Sequence, residues 1–250
     1  MISAIAPARA DAIAEVARAR RDRGPGPWTP ANYPGLMSSS PVPPLTDPEQ
    51  VVAALGLLAA SRVTTFGWLA TCSARAPSAQ QRLGFARVAA AQLDTDAALD
   101  AAAGRHGGDL AAAAEPHLEL FGGIGQRTRP ADWWERLVRT VVAGGMVQDL
   151  AGEVARGLPQ ELYAQVAPDA DFVEFVVAAM GPVTAGSPAL EARLALWGRR
   201  VAGEALGMVG PALSTVTVRS GHDLTRLAGP VMATLSAQHA HRMERLGLAA

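Results

Sequence analysis

A single cysteine, Cys72, leaves the chain unable to close a disulfide on itself and fits a reducing compartment. Lysine is missing altogether: all 22 basic residues are arginine. Set against 23 acidic residues they leave a net charge of −1, so no global basic field draws the chain to nucleic acid. No apolar run reaches the roughly 18 residues from which a membrane span is read. Residues 1–23 lack the basic start and apolar core of a secretory signal, and Asp11 and Glu15 argue against a transit peptide. A cytoplasmic location with no membrane partner is therefore expected. Also missing are a Gly-rich phosphate loop, a nucleophile elbow and Cys/His zinc spacing. Strand alternation of useful length is absent too, which excludes a sheet protein.

What the chain does have is apolar mass: 49% of its 250 residues, with a mean hydropathy of +0.14, enough for a substantial core. Its alanine content and exclusive use of arginine match the codon bias of a high-GC genome, such as that of an actinobacterium. Two regions follow. Residues 1–46 hold an Ala/Arg-rich start ending in the basic run Arg18–Arg23, read as a solvated tail or a partner-binding arm. A Pro/Gly/Ser-rich strap follows, with Trp28, Tyr33 and Met37 to pin it. Residues 47–250 read as helix after helix.

Thr46-Asp-Pro-Glu49 has the capping-box pattern and opens a helix expected to reach Arg75, with Arg62 among its apolar residues. Ser78-Ala-Gln-Gln81 opens a second, expected to reach Ala103, and residues 104–130 read as a long connection because of their glycines and proline. A third helix is expected from Ala131 to Arg156. Gly144-Gly145 at its middle costs about 2 kcal/mol against two alanines, which points to close packing or a kink. Short helices at 160–166 and within 169–181 lead to Ser187, an N-cap with Pro188 behind it. From there Leu190, Leu194, Trp197, Val201 and Met208 form an apolar stripe expected to run to Gly210, and Glu204 falls on it. Residues 211–221, with the β-prone run Thr215–Val218, read as a loop before a last helix from Asp223 to Leu246. The fold class is all-α: a bundle with at least four helices of roughly 20–30 residues, extra helices and an irregular N-terminal extension.

Three blocks carry a family resemblance. They are Leu194–Leu206, Asp132–Val138 with the later Gly144–Asp149, and His239–Leu248. Together they resemble a bacterial ferritin-like family related to the tRNA hydroxylase that oxidises methylthio-isopentenyl-adenosine. The resemblance covers roughly residues 47–250. It implies a ferritin-like bundle and, in active relatives, a non-haem di-iron centre that activates oxygen. Such a centre takes a Glu from each of two helices and a Glu-x-x-His pair from each of two others.

This chain departs from that pattern. None of its five histidines has an acid three residues before it. The first-helix Glu of the family falls on Arg62, the Glu-x-x-His on Gln92–Thr95, and a helix-three acid on Gly144. Asp149, Glu204 and His239 survive, too few for a conventional pair of irons. The expectation is a catalytically degenerate bundle with Arg62, Asp149, Glu204 and His239 clustered at the former metal site, where the Arg62 guanidinium either pairs with Glu204 or Asp149 or snorkels out of the bundle along its stem. It acts through self-association as a homodimer, through a partner protein, or through a small ligand in the old cavity. No cofactor is expected.

The alternative is an iron-dependent hydroxylase with an atypical site at Asp149, Glu204 and His239. A further alternative is a non-catalytic tRNA binder using Arg127, Arg129, Arg136 and Arg139. Trp133, Trp134 and Trp197 read as core or dimer interface, Asp94, Asp96 and Asp100 as a solvated face, and Cys72 as a small buried residue.

Overall fold

Asp47 starts the helical body. Its carboxylate accepts the Glu49 N–H at 2.9 Å, and Pro48 follows at the first helical position. In the computed structural model the described residues are 42–166, 172–180, 187–217 and 224–250. Arg18–Arg23, Trp28, Tyr33, Met37, Asp169, Asp171 and Val218 lie outside them. Residues 39–250 form one compact unit.

The described helices run in order as α1 (Pro48–Arg75), α2 (Ala79–Ala90), α3 (Asp96–Arg105), α4 (Leu110–Arg127), α5 (Trp133–Ala155), α6 (Gln160–Val166), α7 (Phe172–Met180), α8 (Pro188–Leu206), α9 (Val209–Thr217) and α10 (Leu224–Arg245). Among the described residues no strand occurs, so the all-α reading holds. Side-chain caps sit where the sequence put them for α2 and α8, and α5 has one that the sequence reading did not name. Ser78 accepts the Gln81 N–H at 3.2 Å, Asp132 the Glu135 N–H at 2.9 Å, and Ser187 the Leu190 N–H at 3.4 Å.

Three expectations need correction. The second helix does not reach Ala103; it breaks through a 3-10 turn at Ala91–Leu93 and restarts as α3. The supposed connection 104–130 holds α4, an 18-residue helix with Pro116 inside it. An interior proline costs about 3 kcal/mol, so packing rather than propensity sustains this helix. Its stripe Leu110, Ala114, His117, Phe121 and Ile124 is buried. The β-prone run at 215–217 is helical, the end of α9, where Leu213 and Val216 pack into the core. Contacts with the bundle, not local preference, decide its state.

α1 is the spine and packs on α4, α5 and α2. It is long and apolar enough to cross a membrane, with an 18-residue window of mean hydropathy 1.4, yet 67% of that window is buried inside the fold. α4 runs parallel to α1: Gly56 lies against Ala113, and further along Trp68 lies beside Gly125. A Cβ on Gly56 would sit 2.3 Å from the Ala113 carbonyl oxygen, so the two backbones meet only because that position is glycine. α5 runs antiparallel to α1, with Leu45 bonded to Gly157 near one end and Cys72 against Thr140 near the other.

α8 runs parallel to α5, since Asp132 meets Arg193 and Glu135 meets Trp197. Parallel neighbours need a long crossover, and the chain carrying α6 and α7 supplies it.

Candidate functional site

Arg242 on α10 reaches across α5 at Gly145 and donates from Nη2 to Asp149 Oδ2 at 2.6 Å. A Cβ on Gly145 would stand 2.7 Å from Arg242 Nε, so the glycine makes room for the guanidinium. That explains half of the Gly144-Gly145 pair. At the other half, a Cβ on Gly144 would lie 3.1 Å from the Phe172 ring and 3.7 Å from Trp68. One turn before Arg242, His239 is buried with Nδ1 lacking a hydrogen-bond partner. Burial, then the Arg242 charge, pushes its pKa down to about 4, so it stays neutral at physiological pH. Beside Asp149 in sequence, Gln148 donates to Gln92 at 2.5 Å in the core.

The four expected cluster residues are therefore distributed differently. Arg62 is buried, but its Nη2 donates to the Val166 carbonyl at 2.9 Å, at the end of α6. The carboxylates expected opposite it are each held by another guanidinium: Asp149 by Arg242 and Glu204 by Arg127, both at 2.6 Å.

Glu204 is also not on the buried face, since its side chain is 33% exposed. The stripe of large residues misplaced the face. Small residues Gly198, Ala202 and Ala205 share the buried side of α8 with Leu194 and Val201, leaving Glu204 at the rim.

Around Glu204 and the start of α5, arginines tie α8 to its neighbours. Arg200 donates to the Arg127 carbonyl at 3.3 Å and lies over the Trp197 ring. Arg193 bridges Glu135 and Asp132, each at 2.6 Å, and Trp197 Nε1 donates to the Glu135 carbonyl. Burial raises the Asp132 carboxyl, but the Glu135 N–H and Arg193 outweigh it and hold the group below the usual carboxylate range. Two of the blocks that carried the resemblance thus form a structural clamp. Trp133, Trp134 and Trp197 all pack part-buried against the core.

Another cationic group lies at the α1–α5 contact. Arg139 is only 6% exposed, its Nε is enclosed without a partner, and its guanidinium stands 5.2 Å from the centre of the Trp68 ring. Burial and the neighbouring Arg136 push its pKa down to about 10. Cys72 is buried here with Sγ 3.4 Å from Thr140 Oγ1, and burial raises its thiol despite both arginines. The four arginines expected to form one nucleic-acid patch do not share a surface role. Arg129 is exposed, Arg127 is committed to Glu204, and Arg139 is inside the bundle.

The candidate ligands Asp149 and Glu204 are committed to other partners. Arg62, Arg139 and Arg242 place three buried guanidinium groups inside the bundle, where a di-iron centre would need carboxylates and imidazoles. Asp149 and Glu204 spend a lone pair on arginine, as does the buried Glu153, which bonds Arg156 at 2.5 Å. Among the described residues no three His, Cys, Asp or Glu side chains converge.

His117, placed by its sequence context in the connection 104–130 with no metal-site spacing, is instead on a helix. It is fully buried on α4 with neither ring nitrogen hydrogen-bonded within normal limits, in tilted contact with Phe121. Burial takes its pKa down to about 4, against a weaker upward pull from the Ala53 backbone. The signal was the 110-114-117-121-124 spacing, obscured by Pro116 and Gly122-Gly123. An open hollow between α3 and α6 is lined by Arg105, His106, Glu161 and Gln165, and contains none of the four expected cluster residues.

A family model described as "Ferritin-like domain, actinomycetes" matches residues 47–213. No curated protein matches the chain.

Proposed function

The chain belongs to the ferritin-like domain family of actinomycetes, and from that premise we propose that it is a metal-free member that works by binding rather than by oxygen chemistry. The observation that carries this is the Arg242–Asp149 ion pair across Gly145. A guanidinium buried beside a carboxylate neutralises it in place, as a metal ion otherwise would. Two divalent ions beside that group would meet repulsion poorly screened in the bundle interior. In this reading the bundle keeps a ferritin-like architecture and carries the Arg242–Asp149 pair in its interior.

Binding includes self-association. Leu196 on α8 is 63% exposed and Leu83 on α2 is 58% exposed, apolar side chains that a second copy or a partner would cover. The deciding experiment is metal content by mass spectrometry on untagged protein, expressed with iron supplied and purified without chelator. A stoichiometry near zero supports the reading. Two irons per chain overturn it, and one metal lost on Glu204→Gln or His239→Ala would restore the atypical hydroxylase site.

A further inference from the structure

Arg136 and Arg139 stand on successive turns of α5 and face each other's charge without an acid between them. Neither makes an ion pair among the described residues, and the charged group that most lowers the Arg139 pKa, after burial, is Arg136. A buried guanidinium left alone costs several kcal/mol, and a like charge on the next turn adds to that. From α8 and α10, Arg193 meets Asp132 and Glu135, and Arg242 meets Asp149, whereas Arg136 and Arg139, on α5 itself, meet no carboxylate among the described residues.

The surroundings of Arg139 are built to hold its guanidinium still. Trp68 is wedged between Gly125 on α4 and Gly144 on α5, where Cβ atoms would lie 3.5 Å and 3.7 Å from the indole. The Arg139 guanidinium rests near that ring, a placement that stabilises the cation and leaves its N–H groups free to donate. Thr140 and Cys72 bond each other and supply no negative charge, since burial keeps the thiol protonated. The group that would complete this site carries about two negative charges and several acceptor oxygens arranged to take a guanidinium fork.

We infer that Arg136 and Arg139 form a binding site for a phosphate-type oxyanion, floored by Trp68 at the α1–α5 contact. The inference goes beyond the metal-free reading, because neither arginine belongs to the Asp149–Arg242 pair. Arg136 is half-buried and is the outer donor, and Arg139, 6% exposed, is the inner one. Free inorganic phosphate and a phosphate carried on a nucleotide share this chemistry.

Isothermal titration calorimetry with inorganic phosphate, and separately with adenosine monophosphate, tests the site at constant ionic strength set by chloride. Saturable binding of one phosphate per chain is expected, lost in Arg139→Met. That variant removes a lone buried charge, so it should fold at least as well in phosphate-free buffer. Arg136→Gln, at a half-buried position, should weaken binding about tenfold and carries the test should Arg139→Met fail to fold. Binding of the nucleotide alone, with the same dependence on both arginines, assigns the site to a larger phosphorylated ligand. The inference is overturned if both probes give only the heat of matched chloride, or if phosphate binds Arg139→Met and Arg136→Gln as well as the native chain. Iron content is read in a separate sample, so the failure of one reading leaves the other standing.

Discussion

Arg242 and Asp149 meet at 2.6 Å across Gly145, one residue from each of two helices and 93 positions apart in the chain. The contact depends on three choices together: a guanidinium on α10, a carboxylate on α5, and nothing but hydrogen on the helix turn between them.

Gly145→Ala isolates the third choice. Alanine raises helix propensity by about 1 kcal/mol, but the new Cβ would lie 2.7 Å from Arg242 Nε, part of the stem rather than a free end. We expect a net loss of about 2 kcal/mol in urea unfolding from overpacking. In an Arg242→Met background the same change should become neutral or stabilising. A loss of equal size in both backgrounds would mean that the guanidinium is not what fills the space.

Removing either partner should be asymmetric. Arg242 is 7% exposed at the side chain and Asp149 is 21% exposed. Asp149→Ala strands the more buried charge and is expected to cost about 3–5 kcal/mol, whereas Arg242→Met should cost about 1 kcal/mol or less. Denaturant midpoints of the two single variants measure this. Equal losses would contradict the asymmetry.

Two glycines on α1 give opposite expectations. A Cβ on Gly56 would be 2.3 Å from the Ala113 carbonyl oxygen, while Gly67 has nothing within 4 Å of that position. Gly67→Ala should therefore stabilise by about 0.5–1 kcal/mol through helix propensity alone. Gly56→Ala must push α4 away from α1 and should lower the thermal midpoint by at least several degrees. Stabilisation by both substitutions would mean that α1 and α4 do not cross where Gly56 meets Ala113.

Acid should weaken the fold through His117. Its pKa is about 4 in the folded chain, against an ordinary 6.5 once unfolded. Above pH ~6.5 the ring is neutral in both states and the histidine adds no pH dependence. Between ~6.5 and ~4 the unfolded chain takes up a proton that the folded chain refuses, so stability falls as pH falls. Below ~4 both states are protonated and the loss levels off, at about 3 kcal/mol for this group. His239 is lowered in the same direction. Thermal melts from pH 7.5 to 4 should show His117→Leu with a shallower acid limb than the native chain; an unchanged limb would remove His117 as the cause.

Much of the fold was readable in advance because it is written locally. Asp132 and Ser187 lie within three residues of the N–H groups they accept, and Pro188 and Gly157 act on their own helices. Apolar spacing marked the long helices for the same reason: neighbours on one helix face are three or four residues apart. Where glycine and proline interrupted that spacing, as in α4, the reading failed. Tertiary burial of Leu110, Ala114, His117, Phe121 and Ile124 outweighed the local cost.

Arg62 and His239 were legible as residues of interest because polar groups on apolar stripes are rare, and Asp149 only through the family resemblance. Their partners were not. Asp149 could have met any of several arginines; only helix packing put Arg242 beside it, and put Arg127 beside Glu204. On its own the sequence determined an all-α chain of capped, amphipathic helices. The tertiary structure alone decided which charges neutralise each other and which, at Arg136 and Arg139, are left without a counter-charge. Caps and stripes span one or two helix turns, whereas ion pairing depends on side-chain reach across helices that meet only after folding.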